Sequence, residues 1–178
     1  MPNTSPPIFS PALLQQLDIN GPRYTSYPTA DRFHDGFDAA AYALTLAARR
    51  ELCAHSAAAP LSLYVHIPFC ESVCYYCACN KVITKHHERS AEYLDALELE
   101  IGLHVAELGA GQSVSQLHFG GGTPTFLSDA ELSRVFGMLK SAFRIAPGAE
   151  VSIEVDPRTA SPDRLRFLAE LGFNRISF

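Results

Sequence analysis

No stretch of this chain is apolar and uncharged for long enough to cross a bilayer, and no block of like charges interrupts it. A membrane span needs about 20 consecutive apolar residues. Nucleic acid or an anionic lipid surface is usually met by a basic patch. With 14 Lys+Arg against 19 Asp+Glu the net charge is −5, so neither nucleic acid nor a membrane is an expected partner. The first residues have no basic start, and Pro6, Pro7 and Pro11 cut their apolar stretch, so a secretory leader is not expected. A disulfide framework is also missing. The five cysteines are odd in number, and Cys70, Cys74, Cys77 and Cys79 crowd into ten residues. Clustering of this kind without a leader reads as metal ligation in a reducing compartment, and the expected location is cytoplasmic.

What is present suits one globular domain with an appended arm: 178 residues, 47% of them hydrophobic. Residues 1–60 read as a helical and extended arm. It has proline-rich ends, an apolar patch at Leu13, Leu14 and Leu17, a turn-rich stretch from Asn20 to Pro28, and an alanine-rich helix from about Asp38 to Cys53. From residue 61 the pattern becomes strand, loop, helix, repeated. Leu61–Ile67 alternates as a strand. A helix is expected from about Glu88 to Leu108, with Leu94, Leu97, Ile101, Val105 and Leu108 on one face. Ser115–Phe119 is a second strand. Ser128 and Glu131 form a capping-box pair opening a helix with Leu132, Val135, Phe136 and Leu139 inward. Glu150–Val155 is a third strand. Ser161-Pro162-Asp163 starts another helix that stops near Gly172, and Arg175–Phe178 begins a fourth strand.

This alternation predicts an α/β fold with a parallel sheet and helices packed outside it. Each strand has one apolar and one polar side. Leu61, Leu63, Val65 and Ile67 oppose Ser62, Tyr64 and His66; Leu117 and Phe119 oppose Gln116 and His118. Val151, Ile153 and Val155 oppose Ser152 and Glu154; Ile176 and Phe178 oppose Arg175 and Ser177. A closed eight-stranded barrel fills its interior with branched apolar residues. A polar concave side instead suggests a bound ligand, although a two-layer sheet with one face in water gives the same alternation.

Cys70 directly follows the first strand, at the end where α/β folds place their active sites. Structural zinc usually uses two separated ligand pairs. Three thiolates in the spacing Cys70-x3-Cys74-x2-Cys77 suit three corners of a cubic iron–sulfur cluster, leaving one iron open for chemistry. Cys79 lies one residue beyond Cys77, which makes simultaneous ligation awkward; it is expected to sit free near the chemistry, as a candidate catalytic residue. The competing reading is a zinc knuckle completed by His66 or His86, a binding module without catalysis. Cys53, with no metal partner nearby in sequence, reads as a core residue.

The stretch from Tyr64 through His66-Ile67-Pro68-Phe69-Cys70 to Tyr76-Cys77 resembles the cluster loop of the radical S-adenosylmethionine superfamily. More narrowly it resembles the branch containing the oxygen-independent coproporphyrinogen III oxidases. His118-Phe-Gly-Gly-Gly-Thr-Pro-Thr125 and Ile153-Glu-Val-Asp-Pro-Arg158 are similar to the same branch. The resemblance implies a partial, open TIM-like β/α barrel over residues 61–178 and a 4Fe–4S cluster on Cys70, Cys74 and Cys77. It implies S-adenosylmethionine contacts from Tyr64, Tyr76, Gly121, Gly122, Thr123 and Glu154. A second S-adenosylmethionine is a family feature, with Gly122, Thr123 and Tyr76 as candidates to touch it. For Glu154 the competing reading is an ion pair with Arg175 on the next strand; for Tyr64 and Tyr76 it is ordinary aromatic packing.

Gly21-Pro-Arg23-Tyr24-Thr-Ser-Tyr27-Pro-Thr29 resembles the N-terminal signature of the oxidases, which related haem-chaperone-like members lack. Arg23 and Tyr24 are therefore candidate substrate contacts. The implied reaction converts two propionates of coproporphyrinogen III to vinyls through a 5′-deoxyadenosyl radical, giving protoporphyrinogen IX in haem synthesis. A donor such as flavodoxin or ferredoxin and a monomeric full-length enzyme are further implications. The family's barrel needs roughly two more strand–helix units and a C-terminal domain. The chain therefore reads as truncated after about four strands, and turnover by this piece alone is not expected.

Overall fold

The computed structural model describes residues 10–18, 32–55, 59–75, 77 and 79–178. Arg23, Tyr24 and Tyr76 lie outside the described residues. The chain divides into two compact units, Met1–Ala39 and Ala40–Phe178. In the first, α1 (Pro11–Leu17) starts where the Ser10 hydroxyl accepts a hydrogen bond from the Leu13 N–H, with Pro11 preset for the first turn. The apolar patch at Leu13 and Leu14 is thus helical, a feature the proline-rich context hides.

The second unit is built on one four-stranded sheet. Its strands are β1 (Leu61–Ile67), β4 (Ser113–Gly121), β5 (Arg144–Glu154) and β6 (Arg175–Ser177), in that order and all parallel. Every crossover carries a helix: α3 (Arg89–Leu108), α4 (Asp129–Ala142) and α5 (Pro162–Leu171). Strands added successively on one side, with crossovers of one hand, put all the helices on one face. One cluster accordingly joins Ile67, Leu117, Phe119, Val151 and Ile153 to Leu94 and Leu97 of α3, Leu132, Val135 and Phe136 of α4, and Leu168 of α5. At its centre Phe119, Phe136 and Phe173 meet with ring centroids 5.1–6.3 Å apart. This is the expected α/β architecture, and among the described residues no closed barrel forms.

The helix starts follow local chemistry. Ser128 Oγ accepts from the Glu131 N–H at 3.3 Å while Glu131 Oε2 accepts from the Ser128 N–H at 2.8 Å. At α5 the Ser161 hydroxyl accepts from the Arg164 N–H at 3.2 Å, Pro162 opens the helix, and Gly172 ends it at φ +123°. The helix α2 (Ala39–His55) runs two residues beyond the expected Cys53, whose thiol donates to Gln112 Oε1 at 3.3 Å. Two strand limits differ more. β5 begins at Arg144 rather than Glu150, because Ile145 pairs with Val114 before the register slips at Pro147-Gly148 and resumes as Gln116 with Glu150. Phe178 is 75% exposed: Ile176 packs on the core, but among the described residues nothing covers the position beyond β6.

Two short strands escape the sequence pattern. β2 (Phe69–Cys70) and β3 (Val82–Ile83) pair in parallel and close the base of the cysteine loop. The Val82 N–H donates to the Pro68 carbonyl at 2.7 Å, and the Thr84 N–H to that of Cys70 at 2.9 Å. The loop is therefore anchored at both ends. Among the described residues no helix is long and apolar enough to cross a membrane.

Candidate functional site

The C-terminal ends of β1, β4 and β5 form one rim, and the motifs singled out in the sequence meet there. The loop after β4 is fastened to the chain leaving β1: the Gly122 N–H donates to Ile67 O at 2.8 Å, and the Thr123 N–H to Phe69 O at 2.8 Å. The Thr123 hydroxyl lies 3.5 Å from Cys70 Sγ. Gly121 has φ +110°, a conformation few side chains tolerate. A Cβ on Gly122 would stand 2.7 Å from Phe69 O, 2.8 Å from Pro68 O and 2.9 Å from Cys70 Sγ. Glycine is thus required for the two loops to approach.

Glu154, at the end of β5, turns toward the same turn. Its Oε2 accepts from the Gly121 N–H at 3.2 Å and its Oε1 faces His118 Nε2 at 3.4 Å. Arg175 pairs with Glu150 instead, at 2.9 Å to both carboxylate oxygens, so the Glu154–Arg175 ion pair does not form. Glu154 is 44% exposed by side chain and has lone pairs free toward the rim.

Tyr64 lies on the polar side of β1 with its ring stacked on His118, centroids 5.7 Å apart at 27°. Burial, with the charge of Glu154 second, raises its phenol above the ordinary value. Its hydroxyl is 3.3 Å from His66 Nδ1, and His66 Nε2 is 2.8 Å from Asn80 O. A carbonyl only accepts, so Nε2 carries the hydrogen, and in the neutral ring the Tyr64 O–H donates to Nδ1. His66 is thereby committed to the polar face, and His86 pairs with Glu88 at 3.0 Å. Among the described residues neither histidine gathers with two cysteines into a shared donor group in this structure.

Cys70 is buried, Cys77 half-buried, and Cys74 and Cys79 are exposed. The Cys77 N–H donates to Cys74 O at 3.1 Å, closing a turn between two of the thiols. The Cys79 backbone N–H pulls the Cys77 thiol below its ordinary value, while burial, with the Cys77 charge second, pushes Cys79 up. Among the described residues no three donors of the His, Cys, Asp and Glu types converge on one point in this structure.

Sequence reasoning missed the struts around this rim. His87 Nδ1 donates to Phe126 O at 3.1 Å, its ring stacks on Phe126 at 4.1 Å, and its Nε2 faces Glu71 Oε1 at 3.1 Å. Arg158 Nη2 reaches Ser72 Oγ at 3.4 Å while its guanidinium grips Asp156, holding that carboxyl below its usual range. Both struts brace the cysteine loop against another loop. Arg158 was visible in its motif, but its partner, 86 residues away, was not. Toward the strands' other ends the polar face lines a concavity of ≈ 180 Å³ bounded by Ser62, Gln116, Glu150 and Arg175.

Residues 64–178 match the radical SAM superfamily. That family implies a 4Fe–4S cluster and S-adenosylmethionine, and the residues at the rim fit such a group in kind. Soft thiolates are the donors a cluster needs, and Gly122, having no Cβ, lets its backbone come close to Cys70 Sγ. The chain is 50% identical over 166 residues to the oxygen-independent coproporphyrinogen III oxidase of Escherichia coli, covering 93% of this chain and 35% of the relative. The enzyme of that name from Mannheimia haemolytica is 45% identical over 150 residues, covering 84% of this chain and 97% of the relative. Among solved structures, the coproporphyrinogen III oxidase HemN from Escherichia coli, described as a radical SAM enzyme, aligns with a TM-score of 0.75 at 46% identity. That alignment covers 95% of this chain and 36% of the other. The chain thus spans about a third of the length of several curated relatives it matches. It belongs to the radical SAM superfamily and, within it, to the oxygen-independent coproporphyrinogen III oxidases.

Proposed function

We propose that this chain serves the oxygen-independent oxidative decarboxylation of two propionates of coproporphyrinogen III to vinyls, in the cytoplasm. The observation that carries the reading is the meeting of three motifs on one rim: Thr123 against Cys70, Gly122 and Thr123 zipped to Ile67 and Phe69, and Glu154 on the Gly121 amide. When bound, a reduced cluster with S-adenosylmethionine would supply the radical chemistry that hydrogen removal from the propionate β-carbon needs.

The chain's own residues bind and orient. Cys70, Cys74 and Cys77 would hold the cluster and leave one iron open. Thr123 steadies the Cys70 sulfur from the side. Gly121 and Gly122 bring backbone groups close to S-adenosylmethionine, Glu154 accepts from its ribose hydroxyls, and Tyr64 and Tyr76 flank it. A second S-adenosylmethionine would lie near Gly122, Thr123 and Tyr76. Arg23 suits a substrate carboxylate, with Tyr24 beside it, and Cys79 stands near the chemistry. The expected donor is a flavodoxin or ferredoxin, and the expected full-length state is a monomer.

Anaerobic reconstitution with iron and sulfide, followed by electron paramagnetic resonance of the reduced chain, tests the reading. A 4Fe–4S signal that shifts on adding S-adenosylmethionine is expected. Zinc uptake without a cluster, or a signal indifferent to S-adenosylmethionine, would sink it. Arg23→Ala with unchanged substrate affinity and turnover in the full-length enzyme would remove Arg23 from the substrate site.

A further inference from the structure

His118 ties together three strands of the polar face. In the register of the sheet it lies between Tyr64 on β1 and Ser152 on β5. Its ring stacks on Tyr64, its Nδ1 is 2.7 Å from Ser152 Oγ, and its Nε2 is 3.4 Å from Glu154 Oε1. The hydrogens follow from the partners. A carboxylate only accepts, so Nε2 carries the hydrogen, and in the neutral ring Nδ1 accepts from the Ser152 hydroxyl. Ser152 is 4% exposed and fixes the ring from the buried side. Glu154 therefore has one oxygen held by the His118 N–H and the other by the Gly121 N–H. Both inward positions are filled by donors, and what remains toward the rim is acceptor capacity alone. Such a carboxylate takes a ligand through that ligand's hydrogen-bond donors, among which hydroxyls qualify.

We propose that His118 is a positioning residue that orients Glu154 to accept from the paired ribose hydroxyls of S-adenosylmethionine. The inference rests on the reading of Glu154 as a ribose contact. The 3.4 Å contact is the one that a bound diol would shorten, since such geometry tightens on loading. A site built to pair with hydroxyls discriminates strongly against analogues that lack them, and His118 supports that discrimination without touching the ligand.

The test is equilibrium dialysis of S-adenosylmethionine and its 2′,3′-dideoxyribose analogue against the anaerobically reconstituted chain and its variants. Glu154→Gln measures the underlying contact. His118→Phe keeps the ring stacked on Tyr64 but removes the donor, and His118→Gln restores an N–H. Affinity for S-adenosylmethionine is expected to fall about tenfold in His118→Phe, to recover in His118→Gln, and to change little for the dideoxy analogue. In a Glu154→Gln background, His118→Phe is expected to add less than about a twofold loss, because the two residues act as one unit. Equal losses for both ligands, or full additivity with Glu154→Gln, overturn the positioning role and leave His118 as a packing residue. An unchanged affinity in Glu154→Gln overturns the ribose contact itself, and the inference falls with it.

Discussion

The two faces of the main sheet share one backbone and differ in almost everything else. On the helix side, Ile67, Phe119 and Ile153 are fully enclosed in the apolar cluster that the sheet shares with α3, α4 and α5. On the concave side, Tyr64, His66, His118 and Glu154 retain solvent contact and are linked by directional hydrogen bonds. The first face is stabilised by area removed from water, which is indifferent to the orientation of individual groups. The second depends on orientation and contributes little to stability, because polar contacts only replace those with water. Alternation with period two lets one strand carry both, so the rim can be specialised for ligands without weakening the core.

Variants can break or sharpen this contrast. The largest effect is expected at the rim: Cys70→Ser should abolish cluster uptake, read by iron content and visible absorption, while cluster-free stability shifts by no more than about 1 kcal/mol. Parental iron content in that variant would remove Cys70 from the ligand set. On the helix face, Phe119→Ala should cost about 3–5 kcal/mol in urea denaturation, with no change in ligand preference beyond the unfolded fraction. A second pair compares two glycines. Gly122→Ala places a Cβ against two backbone carbonyls that cannot move aside, and should cost about 1–3 kcal/mol and weaken S-adenosylmethionine binding. Gly137→Ala within α4 meets nothing within 4 Å and should stabilise by about 0.5–1 kcal/mol. Matching melting shifts for the two would contradict the crowding at Gly122.

A pH-dependent effect of similar size to that at Gly137 concerns the capping box of α4. Burial opposes ionisation of Glu131, but hydrogen bonds from Ser90 and Ser128 outweigh it and hold the carboxyl below its ordinary value. A depressed value in the folded state means stabilisation that is complete above the unfolded carboxylate range and lost as pH falls through the folded one. Glu131→Gln should cost about 1 kcal/mol near neutral pH, with the gap to the parent closing below about pH 4. A gap constant with pH would show that the carboxylate charge contributes nothing.

Much of this was legible in the chain itself, for physical reasons that differ by element. The strands β1, β4 and β5 and the caps at Ser128 and Ser161 were readable because alternation and capping are local, spanning a few residues each. The early start of β5 was hidden by Pro147-Gly148, which reads as a turn. β2 and β3 were hidden because a two-residue ladder has no period to detect. Among site residues, His118 fell on the polar side of its strand but could not be given a role, since both its hydrogen-bond partners lie on another strand.

By itself the sequence determined the α/β alternation, which face of each strand is apolar, the donor chemistry of the cysteine loop and the family. All of these depend on residue type and short spacing. Tertiary structure alone decided that Glu154 pairs with Gly121 and His118 rather than Arg175, that Gly122 must have no side chain, and that His87 and Arg158 brace the loop. Those outcomes turn on a few ångströms between residues more than 30 positions apart for the Glu154 contacts, and strand register, not composition, sets such distances.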